Sequence, residues 1–549
     1  MHVVTMILML LLAVVVSTFI VKLLPLKVPI PLVQIVLGAA LSMLGMPVSF
    51  DSHLFLLLFI PPLLFLDGWR IPKGALFGEW RPILSLAIGL VVFTVVGMGM
   101  LIHWLIPAVS LAVAFALAAI LSPTDPVAVS AMTANSPLPS RIGHILEGES
   151  LLNDATGLVC FSFAVTAALT GTFSLGKASL SFVMVAGGGI IIGLALVWVV
   201  GRLNRLLVNF TGEDPAVQIL ISLLIPFAAY LPAEHVHVSG ILAAAVAGIA
   251  MHYNELSGRT LASTRMQRTV VWDTVQTALN GIIFLLLGEQ LPSMLRAMPD
   301  VAAQAGAASV GELVGYVFLI TLALGLLRFG WVWISLSLLA FRRRLAGGKR
   351  GLPHWRVMAV ISTAGVRGAI TLAGILTLPL LMPDGSAFPS RDLAIFIAMG
   401  VIILSLVIAS IALPLLTRGL HMDLPRAGAM NQENLARVAT AEAAVRRLEA
   451  LASQPLEDPH REALRSEAVT HIMDIYRRRL DYGDASGEHA DDMHRLFEME
   501  RVLRIEALRA ERDILFKLRT SSSIDDDVHR RLLHEIDLKE GSLTPAYKH

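Results

Sequence analysis

An apolar run over residues 109–133 is long enough to cross a bilayer, yet Pro123-Thr124-Asp125-Pro126 interrupts it. Two prolines three residues apart remove two backbone donors and disfavour helix at the residues before them. A crossing helix must break there, leaving Thr124 and Asp125 beside backbone groups without helical partners. Broken backbone at bilayer depth persists only where it is buried in protein or faces a water-filled cavity. A carboxylate in such a place points to function. The next apolar run opens with Glu149, Ser150, Asn153 and Asp154. Residues 121–154 therefore read as an ion-binding site.

The rest of the chain agrees on class. Of its 549 residues 55% are hydrophobic and 15% charged, and the mean hydropathy is +0.71. Soluble domains are more charged and less apolar. The expectation is an all-α polytopic membrane protein with about 13 spans, near residues 3–23, 29–46, 53–67, 82–106, 109–133, 148–170, 179–200, 215–233, 237–253, 270–290, 311–340, 355–380 and 393–417. The first run lacks a basic leading segment and a cleavage site, so it is expected to be retained as a span. A formal net charge of +1 gives no ground for a nucleic-acid partner, and the single cysteine, Cys160, excludes an intrachain disulfide.

Loop charge sets the orientation. One side carries Lys27, Arg70, Arg81, Arg202, Arg205, Arg259, Arg265, Arg268, Lys349 and Arg350 among others; the opposite side carries Lys177, Arg296 and Arg391. An error of one span would scramble this separation. The amino terminus is expected outside, and the chain from Arg418 onward in the cytoplasm. The transmembrane domain is expected over 1–420. Residues 427–549 are charged, without a membrane-length apolar run, and read as a helical cytoplasmic domain. In it Leu496, Met499, Leu503, Ala507, Ala510, Ile514 and Leu518 make one helical stripe. Asp458-Pro459 reads as a helix start, and Ser523 with Asp526 as a capping box. No ligand motif is present there.

On a helix, residues four apart share a face, so Ser150 lies over Asp154 and Glu149 over Asn153. This polar patch on an apolar helix must face protein, water or an ion. A hard cation takes oxygen ligands. Asp125, Asp154, the hydroxyls of Thr124 and Ser150 and the freed carbonyls of the break would supply them. Protons compete for the same carboxylate oxygens, which is the chemistry of a cation/proton exchanger. Arg328 and Arg367 lie in apolar runs and need partners. We pair Arg328 with Glu149. Arg367, between Gly365 and Gly368, is placed to neutralise the carbonyl ends of a second broken helix. If spans 1–6 recur inverted as spans 8–13, this break matches the one at Asp125. Asp67 and Glu289 read as interfacial carboxylates, Glu147 as solvated, Glu234, His235 and His237 as a solvated loop, and Pro61-Pro62 as a kink.

The motifs SPTDPVAV, EGESLLNDATGL and AGVRGAITLAG, in this order and spacing, resemble those of bacterial NhaP-type sodium/proton exchangers of the monovalent cation:proton antiporter family. The animal and plant sodium/proton exchangers belong to the same group. The resemblance covers about residues 1–420. It implies two inverted six-helix repeats with crossed broken helices. Asp154 would take a proton or Na⁺ in turn, with Asp125, Thr124 and Ser150 on the ion and Glu149–Arg328 as a structural ion pair. Asn153 resembles the electroneutral branch. Also implied are a homodimer with spans 1–3 and 7–10 at the interface, a moving core of spans 4–6 and 11–13, and no cofactor beyond the transported Na⁺ and H⁺. The rivals are a K⁺/H⁺ antiporter of the same fold, a cation channel and an intramembrane aspartyl protease.

Overall fold

The computed structural model describes residues 2–24, 28–44, 52–133, 138, 140–171, 175–255, 261–307, 309–345, 355–418, 427–453, 459–484, 488–521 and 523–543. Lys27, Arg259, Lys349, Arg350 and Asp458 lie outside them. The chain separates into two compact units, Met1–Leu424 and Pro425–His549.

The first unit is helical. In order it contains α1 (His2–Leu23), α2 (Ile30–Met43), α3 (Ser52–Arg70), α4 (Lys73–Gly78), α5 (Trp80–Leu84), a π-helical segment (Ser85–Leu90), α6 (Val91–Leu105), α7 (Leu111–Ile120), α8 (Pro126–Thr133), α9 (Ser140–Thr170), α10 (Leu175–Thr211), α11 (Pro215–His235), α12 (Gly240–Glu255), α13 (Ala262–Ala305), α14 (Val310–Leu345), α15 (Trp355–Thr363), α16 (Ala369–Leu376) and α17 (Arg391–Thr417). Among the described residues eight helices are long and apolar enough to cross a membrane, and Ile30–Met43, Leu111–Ile120 and Gly240–Tyr253 are shorter apolar helices. Outward-facing positions are themselves apolar: α10 exposes Val183, Met184, Ile191, Leu194 and Trp198. Such a surface is at rest in lipid and not in water.

Helix ends follow local chemistry. Pro215 occupies the first turn of α11 and the Asp214 carboxylate accepts from Ala216 N at 2.9 Å. Gly306 ends α13 in the left-handed conformation, φ 68°. The π-helical turn displaces one carbonyl from the helical ladder, and the Trp331 indole donates to Ser85 O at 3.0 Å.

Glycines fix two helix crossings. A Cβ on Gly38 of α2 would overlap the Leu285 carbonyl oxygen of α13, and one on Gly288 would overlap Ile35 O. Between α3 and α12, Gly68 meets Ala245 O in the same way and Gly248 meets Phe65 O. In both crossings each glycine abuts the carbonyl three residues before the other glycine. Close backbone approach of this kind is how helices pack where lipid removes the hydrophobic drive between them. Beside the second crossing, Phe65, Ala229, Ala243 and Trp272 form a small apolar core, and the Trp272 indole donates to Ser222 Oγ at 3.2 Å.

The second unit holds α18 (Ala427–Ala452), α19 (Pro459–Asp484), α20 (Glu488–Thr520) and α21 (Asp526–Leu543). Helices α20 and α21 pair through Leu508, Leu515 and Ile536, and Arg512 donates to Asp537 at 2.8 Å and to Glu540. The helix start here differs from the expected capping box. Ser523 N donates to Leu518 O at 2.9 Å and closes α20. The cap of α21 is therefore Asp525, whose carboxylate accepts from Val528 N at 2.7 Å.

Candidate ion-binding site

The first apolar interruption is an open break. Helix α7 starts at Ser110, whose hydroxyl accepts from Val113 N at 3.4 Å, and ends at the Leu121 turn. The chain runs non-helically to Asp125, and α8 restarts with Pro126 in its first position. Asp125 caps that restart: Ala128 N donates to Asp125 Oδ1 at 3.3 Å. The Asp-Pro pair thus does what this order does at any helix start, but inside a bundle.

A second break lies between α15 and α16. Asp125 N donates to Val366 O at 2.8 Å, so the two interrupted segments touch through their backbones. Gly368 stands at the start of α16, and a Cβ there would run into the Asp125 carboxylate. Asp125 therefore serves the N-terminal ends of both α8 and α16, where helix dipoles favour an anion. Arg367 does the converse. Its Nε donates to Leu121 O at 2.8 Å and another guanidinium nitrogen to Gly365 O, while its backbone N donates to Ser405 Oγ at 3.2 Å. Leu121 closes α7 and Gly365 follows α15, so one cation satisfies freed carbonyls at two C-terminal helix ends.

Helix α9 supplies the third wall. Glu149, Ser150, Asn153 and Asp154 are all buried, as a polar patch facing inward requires. The Ser150 hydroxyl donates to Thr124 O at 2.8 Å, and Asn153 Nδ2 donates to Thr124 Oγ1 at 2.9 Å. These bonds tie α9 to the first break. Asn153 Oδ1 is buried without a hydrogen-bond partner. Glu149 lies on the other side of the patch, in a two-pronged pair with Arg328, one prong at 2.8 Å. Arg328 Nε also donates to Ile361 O at 3.0 Å. The missing side chain at Gly365 leaves room for the arginine.

A cavity joins these parts. It is lined by Leu63, Leu64 and Asp67 of α3, Pro123 to Pro126, Ser150 and Asp154 of α9, Asn280 of α13, and Gly368, Ile370 and Thr371 at the second break. Of the sequence-derived residues, Asp154, Asp125, Thr124 and Ser150 line it. Asn153, Glu149, Arg328 and Arg367 stand behind them. Sequence reasoning missed Asp67, Asn280 and Thr371. Asp67 looked like the end of an apolar run, but α3 continues to Arg70, which bonds Asp273 and Gln276 of α13. An amide at 280 within an apolar run was a signal of the same kind as Asp154. Thr371 Oγ1 is buried without a partner. Among the described residues no three His, Cys, Asp or Glu side chains converge closely enough to hold a metal ion by themselves. The oxygen set is mixed: carboxylates, hydroxyls and carbonyls.

An acidic cavity at broken backbone within a bundle of membrane-length helices has the make-up of an ion-transporting membrane protein. The chain belongs to the sodium/hydrogen exchanger family, whose transmembrane region matches residues 9–419. It is 40% identical over 538 residues to the uncharacterized Na⁺/H⁺ exchanger YjcE of Escherichia coli (strain K12), covering 96% of each chain. It is 43% identical over 394 residues to the sodium, potassium, lithium and rubidium/H⁺ antiporter of Bacillus subtilis (strain 168), a match that covers 71% of this chain and 58% of that one. The solved structure of the sodium proton antiporter MjNhaP1 from Methanocaldococcus jannaschii matches the fold, with TM-score 0.57 and 18% identity, covering 76% of this chain and 99% of that one.

Proposed function

We propose that this protein exchanges Na⁺ or Li⁺ for H⁺ across the cytoplasmic membrane, one for one, by alternating access. The single observation that carries the reading is the convergence of Asp125 and Asp154, with Thr124 and Ser150, on one cavity at two touching helix breaks. Asp154 is the group that takes a proton or the cation in turn. Asp125, Thr124 and Ser150 complete the cation's oxygen shell, and Asp67 and Asn280 reach the same cavity from α3 and α13. The Glu149–Arg328 pair is scaffold, and Asn153, an amide where a second acid could stand, keeps the exchange electroneutral. No cofactor is required.

An empty site with bare carboxylates resists transfer into a low-dielectric position, whereas a site neutralised by a proton or a cation crosses at lower cost. Turnover is therefore bell-shaped in pH: protons hold the site in acid, and none return in alkali.

The reading extends to architecture. Thirteen crossing segments, counting α7 with α8 and α15 with α16 as one each, put the amino terminus outside and the chain after Arg418 in the cytoplasm. Two inverted repeats, segments 1–6 and 8–13, exchange segments 2 and 3 with 9 and 10. That exchange turns the α2–α13 crossing into the α12–α3 crossing, and the matched glycine pairs support it. The protein works as a homodimer in the bilayer, segments 1–3 and 7–10 forming the fixed part.

K⁺ as the driving cation is a second reading, favoured by the broad substrate range in the name of the Bacillus relative. The test of both is dissipation of a pH gradient in sealed vesicles on adding NaCl, LiCl or KCl. A Na⁺ or Li⁺ response that persists under a clamped potential and is lost in Asp154→Asn supports electroneutral exchange at this site. A response of undiminished size in Asp154→Asn sinks it. A K⁺-only response moves the substrate and keeps the mechanism.

A further inference from the structure

We propose that the Thr371 hydroxyl is a further ligand of the transported cation, contributed by the second helix break. The proposal rests on the cation-exchange reading and adds to it a group that binds a cation without taking a proton.

Thr371 is 1% exposed, and its Oγ1 has no hydrogen-bond partner among the described residues. A threonine inside a helix can give its hydroxyl proton to the carbonyl four residues back. Thr133, Thr156, Thr321 and Thr417 all do so, to Val129, Leu152, Val317 and Leu413 at 2.8–2.9 Å. Thr371 stands in the first turn of α16, and the residue four before it, Arg367, precedes the helix. The break thus takes away the carbonyl that would have occupied this hydroxyl. A hydroxyl buried without a partner is destabilising, and one on a cavity wall points to what the cavity holds.

Its position singles it out. Ser122 Oγ and Asn153 Oδ1 are also buried without partners among the described residues, but of the three only Thr371 lines the cavity. Gly368 lies three residues before Thr371, so the two share one side of the helix start. That side meets the Asp125 carboxylate, which a Cβ on Gly368 would strike. Side chains so spaced are about 5–6 Å apart. Oxygens at about 2.3–2.6 Å on either side of a hard cation span up to about 5 Å. One ion can therefore bridge the Asp125 carboxylate and Thr371 Oγ1.

The hydroxyl brings a chemistry that the carboxylates lack. It offers two lone pairs and keeps its own proton. It adds to the shell of a bound cation without becoming another proton acceptor. Thr371 thus tilts the competition at the carboxylates toward the cation. Without it, protons hold the site up to a higher pH at a given cation concentration.

The experiment reads dissipation of a pH gradient by the full-length protein in sealed vesicles, with whichever of NaCl, LiCl or KCl drives the wild type. Cation concentration and pH are both varied. Thr371→Val keeps the shape and removes the oxygen, and Thr371→Ser keeps the oxygen. For Thr371→Val the expected result is a rise of about fivefold or more in the cation concentration for half-maximal exchange, the scale of one lost neutral polar contact. Its maximal rate stays near that of wild type, and the acid limb of its pH profile moves to higher pH. Thr371→Ser restores wild-type half-saturation. Because the hydroxyl holds no other protein group, Thr371→Val melts no lower than wild type. An unchanged half-saturating concentration, a fall in maximal rate alone, no rescue by serine, or a lowered melting temperature each overturns the proposal. The cation-exchange reading survives those results as long as wild type responds and Asp154→Asn does not. A wild type with no response to any of the three cations, or an Asp154→Asn that keeps the response, removes that reading and the proposal with it.

Discussion

Asp125 and Arg367 divide one helix crossing between them: the carboxylate stands at the N-terminal ends of α8 and α16, and the guanidinium at carbonyls closing α7 and α15. Each charge meets the helix-end partial charges of opposite sign. Two interrupted helices would otherwise leave several buried backbone groups without partners, each costing about 1–3 kcal/mol. The crossing is thus made tolerable by two side chains, one of which also lines the cavity.

Gly368→Ala places a methyl against the Asp125 carboxylate. The expected outcome is a folded protein with at least a tenfold loss of cation-driven proton flux in vesicles. Gly187→Ala, where an added Cβ meets nothing within 4 Å, is the control and should transport normally.

Arg367 donates in two directions at once, which a single lysine ammonium on a flexible stem does poorly. Arg367→Lys is expected to lower thermal stability in detergent, and Arg367→Met to lower it further. Equal melting temperatures for Arg367→Met and wild type would show that the freed carbonyls find other donors.

The Glu149–Arg328 pair is almost fully buried, with 1% and 3% of the two side chains exposed. Removing one member strands a charge, at a cost of about 3–5 kcal/mol, while replacing both by apolar residues of similar size is often near neutral. Glu149→Leu alone should melt far below wild type, and Glu149→Leu with Arg328→Met should recover most of the difference. A double variant that also exchanges cations would assign the pair to the scaffold.

Asp67 lines the cavity from α3. Asp67→Asn keeps its shape and removes its charge. The expected effect is a several-fold rise in the cation concentration for half-maximal exchange, with stability unchanged. An unaltered concentration dependence would remove Asp67 from the cation's surroundings.

Gly38 and Gly248 each abut a carbonyl across their crossings. Overpacking costs about 1–3 kcal/mol where side chains can shift, and backbone yields less. Gly38→Val and Gly248→Val should therefore lower the melting temperature by similar amounts, whereas Gly315→Val, at an open position, should change it little.

What the sequence determined alone is what depends on neighbours along the chain. Length and apolarity of the runs made the protein a membrane protein. Proline spacing located the first break, the order Asp125-Pro126 supplied its cap, and the four-residue period put Glu149, Ser150, Asn153 and Asp154 on one side of α9. The tail shows the limit of such local signals, since Ser523 fits a capping pattern but the closing turn of α20 uses it first. Tertiary structure decided which faces meet. Arg367 reaches Leu121 across 246 residues, and Arg328 reaches Glu149 across 179. Asp67, Asn280 and Thr371 come to the cavity from three helices far apart in the chain, and the reciprocal glycine crossings tie α2 to α13 and α3 to α12. A residue's own helix sets the direction of its side chain, but only the packing of all the helices decides what stands opposite it.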